Sequence, residues 1–263
     1  MVCAGLPPYP CSVAATAPTG QTAFDGTQSA YERARPTYAI EAILASLLLA
    51  GCSGIGDVAD LAAGTGKLTR VLQPHALSIV AIEPSPSMRA AFASATDGVE
   101  VLDGRAEAIP LADASVDLVT VGAAFHWFRP TPALAEIARV LRPGGGLVVA
   151  NNEWRTDAAP WLAAVYQSAR SRRRVRAPGR NWRRALESSA HFEAPCEAAK
   201  PHEQELSPEA FIDLSRSLSS VNVLAPGERD AYLAGLRALV DELAPRPLVV
   251  PFRTRAVAAR RRG

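Results

Sequence analysis

DLAAGTGKLT, residues 60–69, places a carboxylate directly before a glycine turn, and what that turn can hold decides both fold and chemistry. A phosphate-cradling P-loop carries a glycine five residues ahead of its Gly-Lys pair and Ser or Thr after the lysine. Leu61 and Leu68 stand at those positions, which argues against ATP or GTP hydrolysis. A dinucleotide turn reads G-x-G-x-x-G. Counting from Gly64 through Gly66, its third glycine position holds Thr69, and Asp60 would face an anionic pyrophosphate. NAD is therefore a poor fit.

Outward from the turn, short apolar runs alternate with helical stretches. GDVADLAA, LSIVAIEP, VEVLD, VDLVTVGAA and GGLVVANNE read as buried strands, being rich in Val, Ile and Leu and bounded by Gly, Pro or Asp. GKLTRVLQPHA, SPSMRAAFASA and TPALAEIARVLRPGG, lying between them, have apolar positions at helical spacing, the last with Pro143 and Gly144 as a stop signal. Strands alternating with helices predict an α/β fold with a doubly wound, Rossmann-like sheet. Ahead of it, residues 28–51 read as two short helices broken at Pro36. After the fifth strand the pattern changes to helices, with a strand near 192–205, two helices across 208–243 separated near Pro226 and Gly227, and a last strand in LVVPFRTRAVA. The expected organisation is a disordered lead-in at 1–23, a ligand-binding core with N-terminal lid helices at 24–153, a helical cap with one sheet strand at 154–245, and a final strand with a basic tail at 246–263. The cap is expected over the ligand edge of the sheet.

Composition narrows the classes. The chain has 263 residues, 48% of them hydrophobic and 21% charged, with a net charge of +2, so no global field draws it to nucleic acid or membrane. Cys3, Cys11, Cys52 and Cys196 are scattered without CxxC or histidine spacing, which suggests no metal site and no disulfide framework and fits a reducing cytoplasm. The first 20 residues lack a basic leader, and the run AILASLLLAG at 42–51 is too short to span a bilayer.

A ligand complementary to the turn carries a positive group and a negative group at one end. S-adenosylmethionine has that layout: ammonium and carboxylate, then a sulfonium, then ribose and adenine. Asp60 suits the ammonium, and the backbone from Gly64 to Gly66 suits the carboxylate. Glu83, ending the second strand 23 positions after Asp60, suits the ribose hydroxyls. Each feature also has a plain structural reading: a tight strand-to-helix turn without ligand, and a helix-capping acid before Pro84.

DVADLAAGTGKLTRVL, VAIEPSPSMRAAF, GRAEAIPLADASVDLVTVGAAFHWF and ALAEIARVLRPGGGLVV resemble successive motifs of the class I S-adenosylmethionine-dependent methyltransferases. They are most similar to the type 11 small-molecule branch that includes trans-aconitate-methyltransferase-like proteins. The resemblance implies a seven-stranded sheet with an antiparallel last strand and S-adenosylmethionine as cofactor. It implies Asp60 on the ammonium, the backbone of Ala62, Gly64 and Gly66 on the amino-acid end, and Glu83 on the ribose. Ala106 and Glu107 would border the adenine, and Gly122 and Ala123 would close the pocket. Two departures stand out. Ala62 replaces the usual first glycine, which a methyl tolerates if φ is negative, and Arg105 replaces an aspartate common beside the adenine.

Methyl transfer from a sulfonium depends mainly on alignment and water exclusion, with a base needed only when the acceptor must lose a proton. His126, in FHWF after the fourth strand, suits that base, with Phe125, Trp127 and Phe128 walling the substrate. The alternative is a helix-start histidine among core aromatics. Tyr31 and Arg35, in the N-terminal helices, suit the substrate as well, Arg35 as a carboxylate fork unless it pairs with Glu32 or Glu41. The arginine-rich stretch at 169–186 is the one feature pointing to nucleic acid, with Trp182 available to stack on a base; a solvated cap face accounts for it more simply. The expected acceptor is thus a small molecule, taking the methyl on a carboxylate or hydroxyl oxygen. An RNA or protein methyltransferase and a catalytically silent partner subunit are the alternatives.

Overall fold

The computed structural model describes residues 32, 35–52, 54–170, 181–218, 221 and 224–263. Its centre is a seven-stranded sheet: β1 (Asp57–Leu61), β2 (Ser78–Ile82), β3 (Glu100–Leu102), β4 (Val116–Gly122), β5 (Leu141–Trp154), β6 (Cys196–Leu206) and β7 (Leu248–Arg260). The spatial order is β3-β2-β1-β4-β5-β7-β6. β3 through β5 pair in parallel, and β7 is antiparallel to both β5 and β6. The chain turns outward from β1 in two directions, so the carboxyl ends of β1 and β4 frame the crevice where such sheets take ligands.

The helices follow from local sequence. α1 (Ile40–Leu49) lies after Pro36, as the broken-helix reading predicts for the second of its two helices; apart from Glu32 and Arg35, the first falls outside the described residues. α2 (Lys67–Leu72) leaves the glycine turn directly. Ser85 caps α3 (Pro86–Ala95), accepting the Met88 N–H at 3.4 Å ahead of a proline at the first helical position. α4 (Pro130–Val140) buries Ala133, Leu134, Ile137, Ala138 and Val140, an apolar stripe at helical spacing. It ends three residues before Pro143. Leu141 already pairs with Val116, and the register then shifts so that Leu118 meets Gly146. The glycine run is therefore an irregularity inside β5 rather than a loop after α4.

The sheet buries both faces, as a parallel sheet must. Ala59, Leu61, Val119, Val121, Leu147 and Val149 meet α4 on one face, while Val58, Leu118 and Val148 meet α1 and α2 on the other. α5 (Pro160–Arg170), α7 (Pro208–Arg216) and α8 (Pro226–Leu243) form a separate apolar cluster with Trp154, Leu206, Leu248, Val250 and Phe252, where β5, β6 and β7 run past the parallel strands. Fully burying each such side chain is worth roughly 1.5–3 kcal/mol, so the helices rest on this sheet extension. α6 (Trp182–Glu187) differs from the expected cap: Leu186 and Phe192 are buried in the main core beside α4, so that stretch of the chain covers the sheet. Among the described residues no helix is long and apolar enough to cross a membrane, and Cys52 and Cys196 are free thiols.

Candidate active site

Register sets the first element of the site. Asp60 lies beside Thr120 across the β1–β4 pair, and Thr69 comes from the first turn of α2. Thr120 Oγ1 donates to Asp60 Oδ1 at 2.8 Å and Thr69 Oγ1 to Oδ2 at 2.6 Å. The carboxylate is fully buried, held by these two neutral hydroxyls and by the Thr69 backbone amide. Burial pushes its pKa up to about 6, a rise that the two hydroxyls only partly offset. Such a group favours a cation arriving from outside.

Glu83 occupies the neighbouring position at the end of β2. Gly64 N–H donates to its Oε2 at 3.0 Å and Ser85 N–H to its Oε1 at 2.9 Å, fixing the carboxylate while leaving acceptor capacity on both oxygens. Burial raises its pKa against these two amide bonds. This geometry alters the expected part of Gly64: its amide serves Glu83, and the Gly66 amide donates to Ala63 O at 2.9 Å. The two glycines also differ in why they are glycine. A Cβ on Gly64, at φ +58°, would meet nothing within 4 Å, whereas one on Gly66, at φ +84°, would lie 2.4 Å from Thr96 Oγ1 and 2.8 Å from Phe92. Gly64 faces open space; Gly66 is a packing requirement against α3.

Ala62 has φ +52°, so the condition under which its methyl would be tolerated freely is not met. Ala123, after β4, has φ +51°. Two alanines in the left-handed region therefore flank the crevice, a strain that clusters at ligand sites. Gly122 makes room for the lid segment, since a Cβ there would sit 2.9 Å from the Tyr38 hydroxyl.

Other expected residues divide. Ala106 is buried in the core, and Glu107 Oε1 accepts the Arg129 N–H at 2.7 Å, so it holds the start of α4; Arg105 is exposed. Phe125 and Phe128, expected to wall a substrate, are packed into the core instead: they are 1% and 7% exposed, with ring centroids 5.0 Å apart across the 3-10 turn at Phe125–Trp127. Trp182 packs on Phe125 at 5.4 Å, which commits it to packing rather than base stacking. His126 and Trp127 remain half-buried, their rings 4.9 Å apart, and burial, followed by the Arg35 charge, lowers the His126 pKa. Tyr31 lies outside the described residues, as do residues 171–180 of the arginine-rich stretch.

Arg35 reaches across to Ser217. It donates from Nε to Ser217 Oγ and from Nη2 to Ser217 O, both at 2.9 Å, tying the lid to the end of α7. It lines a cleft of about 470 Å³ of unfilled space, open to solvent, together with Tyr38 and Lys67 from the lid and turn and Ala123 from the crevice. The cap and sheet extension contribute Trp154, Leu214, Leu218 and Phe252. Asn152, also in this lining, holds the lid in place: its Nδ2 donates to Thr37 O at 2.9 Å and Pro36 O at 3.3 Å. Its Oδ1 accepts from Thr254 Oγ1 at 2.6 Å, and Thr254 in turn accepts the Ala39 N–H at 2.9 Å. His202 Nε2 completes this cluster, 3.2 Å from Asn152 Oδ1. None of these cap contacts is legible from sequence spacing. Thr120 was within reach, as a lone hydroxyl in an otherwise apolar strand.

Residues 59–149, which contain the turn, Glu83 and Gly122, match the methyltransferase domain family. An uncharacterized methyltransferase of Mycobacterium tuberculosis is 45% identical over 139 residues, covering 53% of this chain and 55% of the relative. The malonyl-[acyl-carrier protein] O-methyltransferase of Methylococcus capsulatus is 38% identical over 110 residues, covering 38% of this chain and 40% of its own. The chain thus spans about half the length of the curated relatives it matches first. In fold, a putative type II methyltransferase from Anaeromyxobacter dehalogenans superimposes with a TM-score of 0.60 at 23% identity, covering 87% of this chain and 97% of that one. The matched residues include Asp60 and Glu83; Arg35 and the far side of the cleft, from Asn152 to Phe252, fall outside them.

Proposed function

We propose that this chain is an S-adenosylmethionine-dependent methyltransferase acting in the cytoplasm on an oxygen of a small molecule. The observation that carries the reading is Asp60: a fully buried carboxylate, held by two neutral hydroxyls, beside the open turn at Gly64 and the amide-held Glu83. The residues fit the cofactor. Asp60 would take its ammonium, Glu83 its ribose hydroxyls, and the turn from Ala62 to Gly66 its amino-acid end, where the buried Thr65 Oγ1 has no hydrogen-bond partner among the described residues. When bound, the cofactor supplies an electrophilic methyl group on sulfur. The cleft, with Ala123 of the switch point in its lining, would orient the acceptor.

His126 serves as base for a hydroxyl acceptor, and its lowered pKa keeps it neutral and able to accept a proton near neutral pH. A carboxylate acceptor needs no base. The name of the Methylococcus relative, an O-methyltransferase, supports oxygen as the receiving atom.

Calorimetry with S-adenosylmethionine, followed by labelled-methyl transfer to acids, phenols and RNA, tests the reading. Binding and transfer to a small acid or phenol are expected. Absence of binding overturns it, binding without transfer favours a silent partner, and transfer to RNA alone favours the nucleic-acid alternative. His126→Ala should slow transfer to phenols by about 100-fold and leave transfer to acids nearly unchanged; equal loss on both would assign His126 to packing.

A further inference from the structure

Three polar side chains on adjacent strands share the sheet face that carries the lid. Thr254 on β7 is paired with Asn152 on β5, and His202 on β6 is paired with Phe252, two positions from Thr254 on the same face. The His202 and Phe252 rings stack, 5.7 Å between centroids at 21°, which sets the plane of the imidazole. Elimination places the protons. Pro36 O and Thr37 O are both acceptors, so Asn152 turns its Nδ2 to them and its Oδ1 to Thr254 and His202. Thr254 Oγ1 stands 2.6 Å from that oxygen and 3.1 Å from His202 Nε2, with one proton to give. Asn152 Oδ1 carries no hydrogen, so the 2.6 Å contact needs the Thr254 proton. His202 Nε2, 3.2 Å from the same Oδ1, must then bring its own. Burial lowers the His202 pKa against the opposing charge of Glu41, so the ring is neutral near neutral pH and the network selects between its two tautomers.

We infer that His202 is a positioning residue for the cofactor crevice: its Nε2–H fixes Asn152 Oδ1, and Asn152 together with Thr254 fixes the lid at residues 36–39. The lid backbone is bound at three points, Pro36 O, Thr37 O and Ala39 N–H, the last donating to Thr254 Oγ1 at 2.9 Å. Between them lies Tyr38, whose hydroxyl would be 2.9 Å from a Cβ on Gly122 at the carboxyl end of β4. Without the imidazole donor, one of the two bonds that orient the Asn152 amide is lost, and Tyr38 is held less firmly against that strand end. The positioning role rests on the methyl-transfer reading, which makes the strand end part of the cofactor's crevice; the latch itself does not.

The test is made on the full chain. NMR of the imidazole nitrogens should show His202 Nε2 protonated and Nδ1 bare; the reverse tautomer overturns the inference, and this reading needs no variant. His202→Phe keeps a flat ring to stack on Phe252 and loses the donor, whereas His202→Gln keeps an N–H at a similar reach. In the Phe variant, hydrogen exchange at the Ala39 amide should quicken by about fivefold, the effect of one neutral hydrogen bond, and S-adenosylhomocysteine affinity, by calorimetry, should fall by about the same factor. The Gln variant should hold both within about twofold of the unaltered chain. The Leu77 amide, bonded to Gly56 O at 2.9 Å ahead of β2, is the control and should not change. Equal quickening at Ala39 and Leu77, or equal losses in the Phe and Gln variants, would reduce His202 to general stability and overturn the inference. So would a loosened lid with unchanged S-adenosylhomocysteine affinity. Should the unaltered chain not bind S-adenosylhomocysteine at all, the methyl-transfer reading falls and the positioning role with it, while the ring and exchange readings still decide the latch.

Discussion

Strand β1 carries an acid at each end, and the two are treated oppositely. At the amino edge Asp57 accepts from Ser78 Oγ at 2.7 Å and from Arg142 Nη1 at 2.9 Å, and Arg142 also reaches Asp117 Oδ2 at 2.7 Å. These bonds lower the Asp57 pKa. At the carboxyl edge Asp60 meets two hydroxyls inside the core, and burial raises its pKa to about 6. Glu83 beside it is raised too, again by burial. Charge at the amino edge is matched within the protein, as a structural site requires; charge at the carboxyl edge is held ready for a partner that the fold does not supply.

The largest effect expected from breaking this contrast is Asp60→Asn, which should cut S-adenosylmethionine affinity by at least a thousandfold, about 4 kcal/mol, measured by calorimetry. Asp57→Asn should leave that affinity within about twofold and only lower the melting temperature. If both lose cofactor equally, the edges are not functionally distinct. Next in size is Gly66→Ala. With φ +84° and a Cβ 2.4 Å from Thr96 Oγ1, it should destabilise the fold by about 3 kcal/mol in urea titration. Gly64→Ala, with open space around it, should destabilise less and act chiefly on cofactor affinity.

The pH dependences of the two edges should run in opposite directions. Asp60's folded pKa lies above its unfolded value, so its favourable contribution is complete below about pH 4 and is lost as pH rises through about 6. The loss amounts to at most about 3 kcal/mol, and it should vanish in Asp60→Asn. Asp57, with a lowered pKa, contributes above its unfolded value and loses that contribution as pH falls through the folded one. Cofactor binding needs ionised Asp60, so affinity should drop by about tenfold per pH unit below about pH 6. A flat binding profile from pH 5 to 7 would remove Asp60 from the ammonium. The smallest effect is Ala62→Gly, which should relieve the left-handed backbone and stabilise the chain by about 0.5–1 kcal/mol, read from denaturant midpoints.

Much of the core was legible because periodicity reports burial directly. The strands at GDVADLAA, LSIVAIEP and VDLVTVGAA follow from runs of buried aliphatic residues between turn signals. FHWF was less legible. His126 and Trp127 stay half-buried while Phe125 and Phe128 enter the core, and four consecutive residues of a short turn carry no period that separates the two pairs.

By itself the sequence determined the doubly wound α/β character and the two acids ending the first and second strands, since these are read from runs of residues near one another in the chain. Tertiary structure alone decided the cleft. Arg35 reaches Ser217, Asn152 fastens Pro36 and Thr37, and Trp154 meets Phe252 across paired strands. These partners lie about 100 or more residues apart, and only the packing of lid and cap on the extended β5–β7–β6 strands brings them together.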